Sequence, residues 1–118
     1  MAARFDVDAF ELVPATPGTS LLRIAGRWPG DVRERLSPPL LLVDDGRRTH
    51  RLAPLPGPDD SAPQAGPDAP LWRGAYSAPA ELVASSLTAF ALDAGRGIVD
   101  LPRPRPRSRP APPPAGRD

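Results

Sequence analysis

The sequence contains no cysteine, no lysine and no asparagine, and only one histidine in 118 residues. Without cysteine there is no disulfide and no thiolate ligand, and one imidazole cannot build a zinc site. The missing disulfides fit a reducing compartment, so the expected location is the cytoplasm. Long apolar runs are lacking too. The longest aliphatic run, "LLLV" after Pro39, is far short of the roughly 20 residues that a membrane span needs. In the opening "MAARFDVDAFELV", Asp6 and Asp8 stand where the apolar region of a signal peptide would run. A soluble chain with neither signal peptide nor membrane span is expected.

What is present is arginine and proline. All 15 basic residues are arginine, and there are 19 prolines and 10 glycines. With abundant alanine, this usage has the look of a GC-rich genome's codon bias, a warning against reading every guanidinium as selected. The charge is divided unevenly. Residues 101–118, "LPRPRPRSRPAPPPAGRD", hold five arginines and one aspartate, leaving a mildly acidic body. A second stretch, "PLPGPDDSAPQAGPDAP" at 54–70, is also poor in apolar side chains and reads as a long Pro-rich loop. About 85 residues then remain for a core, near the lower limit for a domain without staples.

Short strands fill that core. "RFDVDAF" alternates Phe5, Val7 and Ala9 against Asp6 and Asp8, and the phase then slips to Phe10 and Leu12, predicting a bulge near Ala9. "TSLLRIAGRW" sets Leu22, Ile24 and Trp28 on one face and Arg23 and Arg27 on the other, ended by Pro29-Gly30. "DVRERLS" fits either one capped helical turn or a strand, closed by Pro38-Pro39. Asp45-Gly46 predicts a tight hairpin, with Leu42 opposite Thr49 and Leu41 opposite His50. Trp72, Gly74 and Tyr76 share a face, and Pro79 opens a single turn through Ala80-Glu81-Leu82. Phe90 and Leu92 point inward, Gly95-Arg96-Gly97 turns the chain, and Val99 and Leu101 return. Six or seven strands and no long amphipathic helix predict an all-β, two-sheet antiparallel sandwich over 1–101, with a disordered tail or linker over 102–118. A small open barrel is the alternative. The expected core is Trp72 with Tyr76, Phe90, Leu92, Ile24, Leu22 and Val99.

The segments "LLRIAGRW", "LLLVDDGRRTHRL", "LWRGAYSAPAELV" and "FALDAGRGIVDLPRP" together resemble immunoglobulin-like β-sandwich modules found in bacterial proteins beside glycosyltransferase or envelope-polysaccharide domains. The resemblance spans residues 5–102 through apolar and turn positions. It implies an accessory or linker module with no catalytic or cofactor-binding residues. The cysteine pair of antibody domains is absent, so antibody-like binding loops do not carry over.

Residue chemistry supports the same expectation of a non-enzymatic chain without cofactor or metal. A triad could be built only around His50, with Asp44 or Asp45, and a hairpin residue paired across its strand is the simpler role. The neighbouring pairs Asp44-Asp45 and Asp59-Asp60 cannot face each other across a cleft as a glycosidase requires. Asp59, Asp60 and Asp68 could offer oxygen ligands to calcium, but read more simply as a solvated loop. Trp72, Tyr76 and Trp28, if exposed, would stack on sugar rings and make a glycan a partner; a domain this small needs them in its core.

Alternating arginine and proline cannot form a helix and is expected to be extended. Arg103, Arg105, Arg107 and Arg109 are the candidate partner-binding residues, through phosphates of nucleic acid or an anionic surface. No aromatic stands among them to stack on bases, so nucleic acid is the weaker expectation. Arg107, Pro110 and Pro113 also match the spacing of an SH3-type ligand, a match nearly free in so biased a segment. A tether leading to a neighbouring domain, or to another protein partner, is the favoured role.

Overall fold

The computed structural model describes residues 4–56, 62–95 and 97–106. Its elements run β1 (Asp6–Thr16), β2 (Thr19–Pro29), β3 (Glu34–Arg35), β4 (Leu40–Asp44), β5 (Thr49–Leu52), β6 (Gln64–Gly66), β7 (Trp72–Pro79), α1 (Ala80–Ala84), β8 (Ala89–Asp93), β9 (Ile98–Leu101) and β10 (Arg105–Pro106). Ten strands among the described residues exceed the expected six or seven, because β3, β6 and β10 are only two or three residues long. One sheet has the order β10-β1-β2-β6-β3, with β7 also paired to β2; the other has the order β5-β4-β8-β9. The chain is all-β in two sheets. Pairing is antiparallel throughout, except that β10 runs parallel to β1 and β6 parallel to β2.

β2 is the hub. Its period-2 alternation buries Ser20, Leu22, Ile24 and Trp28 while Arg23 and Arg27 stay exposed. One edge pairs with β1. The other is shared: Thr19 to Gly26 face β7, and Trp28 and Pro29 face β6. The slip in β1 is a register shift between Val7 and Ala9, which lets Phe5 and Phe10 both reach the interior. Phe10 meets Phe90 of the opposite sheet edge to face, with ring centroids 5.4 Å apart. Leu41, Val43 and Leu92 complete that side of the core.

At the other end Phe5, Trp28 and Trp72 form an aromatic cluster, with centroids 4.5 to 5.9 Å apart. The rings lie against glycine. A Cβ on Gly26 would stand 2.4 Å from the Phe5 ring, and one on Gly74 2.6 Å from the Trp72 indole. Trp28, which the sequence sets beside a turn, is fully buried at 1% exposure.

The Asp45-Gly46 hairpin forms with a different register. Val43 faces His50 and Leu42 faces Arg51. Both aspartates make side-chain turns, Asp44 accepting from Gly46 N–H and Asp45 from Arg47 and Arg48 N–H, all within 2.9 Å. Asp45 N–H donates to the Arg48 carbonyl, so the loop spans four residues instead of two. The Pro-rich stretch at 54–70, expected as loop alone, contributes β6.

Tyr76 ties the two sheets together. From β7 its hydroxyl donates to the carbonyl of Pro39, at the entry to β4, over 2.8 Å, and the side chain is wholly buried. Burial pushes its phenol far above the usual tyrosine range. A group whose folded pKa is raised stabilises the fold below its unfolded value, here 10.0, and that stability is lost as pH rises beyond it. The chain has one tyrosine, no lysine and no cysteine, so no other side chain titrates in that range. Urea unfolding midpoints should therefore fall from about pH 9 to 11 in the natural chain. In Tyr76→Phe they should start lower, by about 1–3 kcal/mol for the orphaned carbonyl, yet stay flat. Parallel slopes in the two proteins would contradict this account.

Candidate functional site

Two places gather groups capable of chemistry: the root of the arginine tail and a cleft beside β6. At the root, Arg103 follows β9 and turns back over the end of α1. Its Nη1 donates to the carbonyls of Ser86 and Thr88 at 3.1 and 3.3 Å, and its Nη2 to that of Ser85 at 3.3 Å. α1 has no basic residue in its last turn, and this guanidinium reaches the carbonyls just beyond the helix end, joining the Thr88 N–H that already donates to the Ser85 carbonyl at 3.2 Å. Thr88 reinforces the same turn, its hydroxyl donating to the Leu82 carbonyl at 2.8 Å. Two residues on, Arg105 enters β10 opposite Glu11 of β1, and Pro106 stands opposite Leu12. The tail sequence thus continues on the domain for five residues past Leu101. Of the four candidate arginines, Arg103 and Arg105 are brought onto the sandwich, one on each sheet's side; Arg107 and Arg109 lie outside the described residues.

The second place was not visible in the sequence. A cleft of about 520 Å³ opens beside β3, β6 and the start of β7, bordered by Arg35, Gln64, Trp72 and Arg73. Arg35 stands opposite Gln64 in the β3–β6 ladder. Arg73 projects outward because its neighbour Trp72 points into the core. Arg27 steadies the turn just before Pro70, Nη1 donating to the Ala69 carbonyl at 3.1 Å. Only long-range pairing, of β3 with β6 and of β2 with both β6 and β7, brings these arginines together, so no local pattern announces them.

The other candidates resolve into structural roles. His50 sits half-buried on β5, the edge strand, with Nε2 3.1 Å from Asp45 Oδ2. The hairpin thus joins the His50 and Asp45 of the sequence reading, while Asp44 caps Gly46. Asp45 is held well below the usual carboxylate range, first by the Arg48 N–H and then by His50 and the Arg47 N–H. All six aromatic residues are buried, at 8% exposure or less, so none offers a face to a sugar. Asp68 faces Arg33 across 3.9 Å, both side chains largely in solvent; Asp59 and Asp60 lie outside the described residues. Among the described residues no helix is long and apolar enough to cross a membrane.

Two measurements test these assignments. Arg103→Ala should cost about 1 kcal/mol, lowering the melting temperature by a few degrees, whereas Arg105→Ala should change it little. Equal effects would deny Arg103 its anchoring role. Because the folded pKa of Asp45 is depressed, its contribution is complete above its ordinary value of 3.8 and is lost as pH falls below that. Asp45→Asn should accordingly lose less stability than the natural chain between about pH 4 and pH 2 in urea titrations. No family model, no curated protein and no solved structure matches this chain, so its reading rests on the geometry above.

Proposed function

We propose that the chain is an immunoglobulin-like β-sandwich acting as a non-catalytic accessory, interaction or linker module, with the Arg/Pro run beyond Pro106 as its tether. The observation that carries this reading is Arg103. The first arginine of the run is committed to three backbone carbonyls, which fastens the root of the tail to the sandwich rather than presenting it to a phosphate.

Strand order supports the architecture. β1, β2 and β7 lie side by side in one sheet and β5, β4, β8 and β9 in the other, the sequence-to-space order of strands A, B, E and C′, C, F, G. The parallel approach of β10 to β1 continues the last strand across to the first sheet. The resemblance to modules beside glycan-handling domains suggests an envelope or polysaccharide protein as the larger setting.

The competing role, electrostatic binding through the tail, makes a different forecast. Anisotropy of labelled single-stranded RNA and of labelled heparin should be unchanged by the full chain at physiological salt. A chain ending at Pro106 should behave identically and melt at the same temperature. Binding by the full chain that disappears on this truncation would make the tail the working part and remove the tether reading.

A further inference from the structure

The cleft between β6 and β7 has a composition that solvation alone does not require. Its lining carries two guanidiniums, Arg35 and Arg73, and the Gln64 carboxamide, and among the described residues no carboxylate lines it. Among the described residues none of these three side chains has a hydrogen-bond or ion-pair partner, although the acidic body supplies carboxylates to Arg33 and to His50. Pro63, Pro70, Leu71 and Trp72 add an apolar part to the lining. Its walls are held by backbone: Leu36 N–H donates to the Pro63 carbonyl at 2.9 Å, and Ala69 N–H to the Gly66 carbonyl at 3.3 Å. The site is therefore shaped before any ligand arrives.

We propose that this cleft binds a small organic phosphate, a dianion carried on an apolar or ring-shaped body. Two fixed positive charges balance a phosphate monoester's charge of about −2, and guanidinium forks match its oxygens. The carboxamide adds neutral donors beside them. A volume of about 520 Å³ lies within the range of small-molecule sites, about 300–1,000 Å³, and exceeds what a bare phosphate would occupy. The apolar lining of Pro63, Pro70, Leu71 and Trp72 takes the organic part. The inference is independent of the tether role of the tail, because none of the described tail residues, 102–106, lines the cleft.

The test uses the full chain with phenyl phosphate as the probe, and inorganic phosphate and phenol as its two halves. Binding is followed by calorimetry and by ¹H–¹⁵N shifts of the Gln64 amide, the Arg35 and Arg73 Nε–H groups and the Trp72 indole. Phenyl phosphate should bind at millimolar concentration or below, shift those signals and bind more tightly than either half. Arg35→Gln and Arg73→Gln should each weaken it about tenfold, as loss of one charged hydrogen bond predicts. Both residues are exposed, so unchanged melting curves should show that the variants remain folded. Absence of shifts at about 10 mM phenyl phosphate would overturn the proposal, since a site weaker than that is no site. So would unaltered affinity in the doubly substituted chain, or inorganic phosphate binding as tightly as phenyl phosphate.

Discussion

Phe5, Trp28 and Trp72 meet over two glycines, and most of the molecule's organisation follows from the need to keep that cluster dry. A chain with no cysteine and six aromatic residues must stabilise itself by burial, at about 25 cal/mol for each Å² of apolar surface removed from water. Gly26 and Gly74 give up their own side chains so that larger rings can lie directly on the backbone of β2 and β7. The indole N–H of Trp28 is left without a hydrogen-bond partner among the described residues, a cost accepted for its complete burial. The same demand removes every aromatic ring from the surface. No aromatic face stands free of the core, and Trp72 alone among the rings also lines the cleft beside β6.

The parts of the fold written in local pattern could be read directly. The alternation in β2, the slip at Ala9, the face shared by Trp72 and Tyr76 and the turn opened by Pro79 each depend on neighbours within a few residues. The hairpin at Asp45-Gly46 was legible in position but not in register, because Asp44 and Asp45 each fold a side chain back onto the loop and lengthen it. β6 and β10 were invisible, and β3 was only one of two readings of "DVRERLS": two or three residues hold no period, and each exists only because a distant strand offers an edge. The depth of Trp28 was hidden for the same reason, since β6, from the Pro-rich stretch, covers the end of β2.

Of the candidate sites, the single histidine and its aspartate were legible because they belong to one hairpin. The arginine-lined cleft was not, because its two cations come from β3 and β7 and meet through the β2 edge that β6 and β7 share. Arg103 shows the converse. As one of several arginines in a biased run it looked interchangeable with its neighbours, yet its position two residues past β9 brings it to the carbonyls of Ser85, Ser86 and Thr88 after α1. Two guanidiniums of identical chemistry thus serve as a structural fastener and as an edge-strand residue, according to which backbone lies within reach.

The parallel pairing of β10 with β1 has a mechanical meaning. β1 begins near the front of the chain, and β10 runs beside it in the same direction before the chain leaves the described domain. A pull that separates the two ends draws β1 backward and β10 forward, so the strands slide past each other. Bonds between them are stretched together in shear instead of being opened one after another as in a zipper. Upstream, the three hydrogen bonds of Arg103 form a second grip that takes up load once β10 gives way.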